Sequence, residues 1–431
     1  MTRDGGAGVA APLSKQPLFR ILWLVVALTT SLVGVAFVSN QFDSFRVPKL
    51  ALYEGEAIAC LALLLILLLW RRREVVSELR PLRVPLSIAA AAVLWTAISS
   101  ATSTNQPLSM PSLLWVASCA VVFTATLLVA RLGRGVMLAH LPLLAAAVNA
   151  FFTLTQRNGW FSPTTFAEST PLRFRISGLI GNPNELGVYL FLVSLAAVAL
   201  SVAWRGRKLW FNVLALLIVA ALLATQTLSA LIAFGAAMLI MVVLLTRRVK
   251  FGVALVAAAL LLVLIVAPLR NRLVSIGTQL REGSFTSATS LRVPAYFVAW
   301  RIFADHPIVG AGPGTYGFWY LPYKWQLDLT YPTFRASNEN FGEAHNDHLQ
   351  TLAVSGLPGY VIFAAALVSL AMLSFRRLEQ DTRARFVQAL ALPLAGGFAV
   401  VALAQFPLEL ASTASIAIHY TALCCAWAAE R

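Results

Sequence analysis

Residues 343–358 read EAHNDHLQTLAVSGLP. Glu343, His345, Asp347 and His348 bring four titratable side chains together immediately before an apolar run. Three chemistries suit these residue types. All four are metal-ligand types, although their spacing matches no strong zinc signature. Asn346 or Asp347 can cap a helix that starts here, with His348 and Gln350 in its first turn and His345 just outside. A histidine with its ordinary pKa of about 6.5 can also act as a general base. It would take the proton of a hydroxyl attacking an electrophilic carbon.

Arginines form the second set. Arg157, Arg173 and Arg175 lie in 157–182, and Arg270, Arg272, Arg281, Arg292, Arg301, Lys324 and Arg335 lie in 268–348. Within TPLRFRISGLIGNPNELGVYL, Asn182 can cap a helix, Pro183 fits its first position and Glu185 falls where a capping box puts a carboxylate. The same helix start offers free N–H groups and a positive dipole end to an anion. Arg173 and Arg175 alternate, so one of them faces such a site, and Arg175 is the nearer to the cap. Solvated loop charge is the plain alternative for each arginine.

The elements that must position these groups follow from composition. The 431 residues are 59% hydrophobic and 12% charged, with mean hydropathy +0.77. Soluble domains carry about 25% charged residues, so this is a membrane protein. Twelve stretches suit spanning helices, at about 19–39, 50–70, 84–101, 110–130, 136–156, 183–203, 209–226, 229–246, 250–267, 349–374, 386–407 and 411–429. The apolar run 209–246 is too long for one crossing and is divided at the polar patch 225–229. With the N-terminus inside, 21 of the 33 Lys and Arg fall in inner loops and 12 in outer ones. The outer turns 102–109, 227–228 and 408–410 carry no Lys or Arg. Both termini are then cytoplasmic. Most of the +15 charge belongs to inner loops, and no nucleic acid is needed to explain it.

The resulting organisation is 1–267 with nine spans and an outer loop at 157–182, a large outer loop region at 268–348, and three spans in 349–431. The first span is read as retained, because no cleavage signature follows it. Cys60, Cys119, Cys424 and Cys425 fall within spans as small apolar residues. In 268–348 a helix is expected at about 294–304, with Tyr296, Phe297, Trp300 and Phe303 as an interfacial aromatic stripe. GAGPGTYG makes a tight turn, His306 closes the helix before Pro307, and His140 and His419 read as interhelical polar groups. Glu54, Glu56 and Glu409 lie near span ends, where they serve function or reach water.

HNDHLQTLAVSGLPG resembles the "HN…LQ…E.G..G" signature of the O-antigen ligase and polymerase superfamily. RISGLIGNPNELGVYL is similar to its "R.SG…GNPN" stretch, and WRIFADHPIVGAGPGTY to its "hP..G.G" stretch, with Arg292 shortly before it. The three occur in order across about 175–360. The resemblance implies an all-α, GT-C-like integral membrane glycosyltransferase of the bacterial inner membrane, with about twelve spans and a periplasmic site. It implies a glycan donor on undecaprenyl pyrophosphate, a lipid A-core acceptor, surrounding membrane lipids, and no metal or other cofactor. Carried over, His345 is the base, and Arg175 and Arg292 grip the pyrophosphate as the anomeric centre inverts. Arg173, Asn182, Asn184, Arg301, Asn346 and His348 surround the substrates. The sequence departs from the family at Ala230, where an arginine is common, and at Val354-Ser355, where a glutamate is common. A polymerase, using the same donor with a second lipid-linked glycan as acceptor, is the nearest rival. A lipid-linked sugar transporter is the rival of another class.

Overall fold

The computed structural model describes residues 12–38, 43–163, 170, 172–265, 267–290, 292–331, 340–376 and 381–429. Arg335, one of the expected outward arginines, lies outside them. All regular structure among the described residues is helical. Nine helices precede the large loop region, namely α1 (Pro17–Leu32), α2 (Arg46–Leu79), α3 (Arg83–Ala101), α4 (Gln106–Val129), α5 (Gly135–Arg157), α6 (Pro183–Ala203), α7 (Lys208–Thr225), α8 (Leu228–Thr246) and α9 (Val249–Ile265). The loop region holds α10 (Ala267–Arg281), α11 (Phe285–Ala288), α12 (Arg292–Asp305) and α13 (Tyr316–Thr330). Then follow α14 (Asp347–Met372), α15 (Thr382–Val401) and α16 (Ala411–Ala428).

Seven helical stretches among the described residues are long and apolar enough to cross a bilayer. Two of these, Arg46–Ala101 and Gln106–Arg157, have 56 and 52 residues, well beyond one crossing. Each contains a break, at non-helical Arg71 in one and at Leu132 and Gly133 in the other. Among the expected spans, 19–39 is realised as only the 16-residue α1, and α9 has 17 residues. The division expected within 209–246 falls at Gln226, whose left-handed backbone (φ 54°) ends α7. The loop region holds more helix than the single stretch expected there.

The core centres on α6 and α16, which are buried along nearly their whole length. A helix apolar all round is an enclosed helix, and α6 contacts α5, α7, α8, α15 and α16. Enclosure also lets α16 carry Thr413, Ser415 and His419, which are buried and bond to protein. His419 Nε2 lies 2.9 Å from the Leu138 carbonyl and Nδ1 3.5 Å from Thr30 Oγ1. His140 Nδ1 likewise meets its own helix at the Val136 carbonyl, 2.5 Å away.

One interlock positions the rest. α14 is interrupted at Gly356, where φ is 65° and ψ −173°. A broken helix inside a membrane protein must find other partners for its freed backbone groups. Residues 307–312 supply them. Ala311 N–H donates to the Ala353 carbonyl at 3.0 Å, Gly312 N–H to the Val354 carbonyl at 3.1 Å, and Leu357 N–H to the Pro307 carbonyl at 2.8 Å. Trp95 Nε1 donates to the Ser355 carbonyl at 2.7 Å, and Ser99 Oγ to those of Val309 and Val354 at 2.7 and 3.2 Å. The approach leaves no room for a side chain, because a Cβ on Gly356 would lie 2.0 Å from the Ile308 oxygen.

Gly356→Ala therefore combines an alanine in a backbone region open only to glycine, about 1–3 kcal/mol by itself, with a backbone collision. Thermal unfolding of the purified protein in detergent should show a clear loss of stability. Gly55→Ala, in a helix with open space around the new methyl, should be neutral or stabilising by about 0.5–1 kcal/mol. Equal behaviour of the two variants would refute the interlock.

Candidate active site

The starts of α2, α6 and α14 meet at one end of the bundle. Asn182 caps α6 by accepting from Asn184 N–H at 2.8 Å, with Pro183 behind it, and Asn346 caps α14 by accepting from Leu349 N–H at 3.0 Å. Both caps are those the sequence leads one to expect. Glu185 does not close a capping box. Its carboxylate accepts from Arg46 Nη2 at 2.6 Å and Nε at 3.2 Å. Arg46 Nη1 also lies 3.7 Å from Glu343 Oε1. Lys49, one turn further along α2, donates to the carbonyls of Ala36, Phe45 and Leu179 at 2.6, 3.1 and 2.8 Å. These two cations tie the ends of α1 and α2 to the 172–182 loop and to the turn before α14.

His345 sits in that turn with a left-handed backbone (φ 52°), a conformation that non-glycine residues hold only where the surroundings impose it. Its ring meets the edges or faces of Phe341 and Phe406, with centroids 5.2 and 4.8 Å away. Nδ1 is buried and has no hydrogen-bond partner among the described residues. Tyr296, on α12, donates through its hydroxyl to the His345 carbonyl at 3.5 Å and the Leu403 carbonyl at 3.3 Å. Burial, then the nearby charges of Arg292 and Arg46, push the imidazole down to about 4, so it is neutral at physiological pH.

Arg292 opens α12 beside His345. Its own guanidinium is pushed down by burial and by Arg272 of α10. Arg173 joins them: burial, Arg272 and Arg292 lower it to about 10. Arg173 Nη2 donates to Asn184 Oδ1 at 2.5 Å, while the Nε atoms of Arg173 and Arg272 are buried without a hydrogen-bond partner. Arg173, Arg272 and Arg292 form no ion pair among the described residues. Three clustered guanidinium groups, two of them with an unfilled Nε, have the charge and donors to hold an anion of more than one charge.

Other expected residues stand apart from this group. Arg175 Nε donates to the Thr170 carbonyl at 2.8 Å within its own loop. Arg301 is exposed on α12, where its charge acts on Tyr323. His348 lies between Tyr360 and Phe363, with Nδ1 3.3 Å from the Tyr360 hydroxyl and Nε2 3.0 Å from the Ala399 carbonyl. Among the described residues no three His, Cys, Asp or Glu side chains gather in a metal-binding group. Asp347 accepts from Leu408 N–H at 3.1 Å, and Glu343 is held by Arg46.

Reading the sequence singled out neither Arg46 nor Tyr296 as part of a site. A signal for Arg46 existed. Of the twelve basic residues in outer loops, ten fall in the two long ones, and Arg46 and Lys49 are the remaining two.

Beside the site, a cavity of about 370 Å³ runs among α3, α4, α14, α15 and α16. Trp95, Trp115, Phe363 and Phe398 line it, and Gln350 and Glu409 are its polar end. Gln350 reaches both ways. Its Oε1 accepts from Ala344 N–H at 2.7 Å, next to His345, and its Nε2 donates to Glu409 Oε1 at 2.9 Å.

Residues 213–364 match the model of the O-antigen ligase family (Wzy_C), a span that includes α12, His345 and the Gly356 interlock. The match supports the superfamily of membrane glycosyltransferase-like enzymes in O-antigen assembly, without separating ligase from polymerase. No curated protein matches the chain.

Arg46→Ala would leave the buried Glu185 carboxylate without its cation. Removing one partner of a fully buried pair costs about 3–5 kcal/mol. Because the Arg46 side chain is 42% exposed, a loss of about 2 kcal/mol is expected. Adding Glu185→Gln should recover part of it. A thermal-unfolding double-mutant cycle with zero coupling would remove Arg46 as the tie between these elements.

Proposed function

We propose that the chain is an O-antigen ligase that moves a glycan from undecaprenyl pyrophosphate to the lipid A-core oligosaccharide. It would cross the inner membrane twelve times, with both termini in the cytoplasm and the site end at the periplasm. The observation that carries this reading is a neutral histidine, its Nδ1 unfilled, beside three arginines that lack carboxylate partners among the described residues. The family match across His345 and Arg292 supports it.

In this mechanism Arg173, Arg272 and Arg292 hold the lipid pyrophosphate. Asn182 and Asn184 line its surroundings, with Asn346 and His348 shaping the start of α14, while Arg175 and Arg301 stay outside this group. The acceptor hydroxyl attacks the anomeric carbon as the bond from that carbon to the pyrophosphate oxygen breaks. His345 takes the hydroxyl proton, and the departing lipid pyrophosphate leaves as an anion stabilised by the arginines. Attack opposite the leaving group inverts the anomeric centre. Glu343, Arg46 and Tyr296 hold His345 in place. The cavity beside α14 suits a lipid hydrocarbon chain, since its walls are apolar and its polar end lies next to the chemistry.

With purified protein, lipid-linked donor and lipid A-core, His345→Ala should lower transfer about 10²–10⁴-fold while leaving membrane insertion intact. Near-normal transfer would exclude it as the base. A strain lacking the protein should accumulate glycan polymer on undecaprenyl pyrophosphate above a bare core; a core capped by a single repeat would show a polymerase instead.

The pH dependence is a second test. A base must be unprotonated to work, so kcat/KM should fall on the acid side near pH 4. A bound pyrophosphate offsets the field of Arg292 and Arg46, which raises the imidazole in the complex. The acid limb of kcat should thus lie above that of kcat/KM. Arg292→Ala should move the kcat/KM limb upward, towards the ordinary histidine value of about 6.5. A limb insensitive to Arg292 would break the link between the two residues.

A further inference from the structure

α13 has two unlike faces. Tyr316, Tyr320, Tyr323 and Leu327 are buried on one, where Tyr316 donates to the Ala295 carbonyl and Tyr323 to Asp305 Oδ2, both at 2.8 Å. The helix is therefore clamped along α12. On the opposite face Phe318, Leu321, Trp325 and Leu329 recur at helical spacing and are all exposed, Trp325 by 71%. Phe297 of α12 and Tyr331 extend this face, with ring centroids 6.2 Å apart. No charged side chain interrupts the stripe. Lys324 and Asp328 pair with each other at 2.7 Å along one flank.

At 15 residues α13 is about 22 Å long, too short and too one-sided to span a bilayer. Its level is set by Trp319, whose Nε1 donates at 3.0 Å to Thr104 Oγ1 in the turn that joins α3 to α4. That turn ends two membrane-length helices. Just beyond it, Leu108, Met110 and Leu114 of α4 are exposed in the same manner as lipid-facing residues elsewhere on the bundle. The apolar face of α13 thus continues the bilayer-facing surface at its rim. Trp and Tyr favour that headgroup layer, and a large uncharged patch turned towards water would be an aggregation hazard.

We infer that α13 is an interfacial helix that lies along the membrane surface with Phe318, Leu321, Trp325 and Leu329 among lipid headgroups. The partner of this face is lipid. This assignment does not depend on the proposed reaction. It places α12, clamped to α13 and carrying Arg292 and Tyr296, at the height where the phosphates of a membrane lipid sit.

The test is spin-label accessibility in the full-length protein reconstituted in phosphatidylglycerol and phosphatidylethanolamine liposomes. Leu321→Cys, Trp325→Cys and Leu329→Cys are labelled one at a time in a background without Cys60, Cys119, Cys424 and Cys425. All three labels should collide more with oxygen, which concentrates in lipid, than with a water-soluble nickel chelate. Ready collision with the nickel chelate at all three positions would overturn the assignment by showing the face in water. Protection from both reagents, or dipolar broadening between labels, would overturn it in favour of a protein partner or a second copy. Using three single variants keeps the test decisive if one of them fails to fold.

Discussion

A bilayer offers no water to an unpaired N–H or carbonyl, and that constraint accounts for much of this molecule's shape. The break in α14 at Gly356 is permissible because the backbone of 307–312 fills it, aided by Trp95 and Ser99. The filling segment runs directly out of the end of α12 and so holds that helix against α14. Arg292 reaches His345 for this reason, although 53 positions separate them in the chain. The glycines of GAGPG and the glycine and proline of VSGLPG are thus two halves of one backbone arrangement. Neither half makes sense alone.

Charge at the same end divides into two kinds. Arg46 and Lys49 are fully engaged, one by the carboxylates of Glu185 and Glu343 and the other by three carbonyls. They act as ties. Arg173, Arg272 and Arg292 have no such counterparts among the described residues; burial lowers the basicity of all three, and neighbouring guanidinium charge lowers that of Arg173 and Arg292 further. An arginine held by carboxylates gives its binding energy to the fold. One held only by neighbouring dipoles keeps it for a ligand.

Much of the helical frame was legible in the sequence, because apolar runs, Asn caps and polar breaks act locally. The division at Gln226 and the caps Asn182 and Asn346 follow from such local rules. Side-chain direction in the loops was not legible. The residues 172–175 form a 3-10 turn, which sends Arg173 to Asn184 and Arg175 back towards Thr170, contrary to the expectation that proximity to the cap decides. His348 is carried by its helix to Tyr360 and Ala399, away from His345, because a three-residue step across a cap does not keep two side chains together. Arg46 and Tyr296 depend on contacts between distant segments, and spacing along one segment is silent about those. The extent of α1 was misjudged since hydropathy continues beyond Leu32 while the helix does not.

The enclosure of α6 and α16 bears on how the chain enters the membrane. α6 emerges before four of the helices that will surround it, α7, α8, α15 and α16, have been made. It must wait in lipid, and its apolar sequence on every side lets it do so. α16 emerges after every helix it contacts, so its Ser412, Thr413 and His419 can pass from the insertion machinery straight into a prepared slot. Exchanging the polarity of these two helices would leave the finished interior almost equally satisfied. It would nevertheless strand a polar segment in hydrocarbon for as long as the second half of the chain takes to be synthesised.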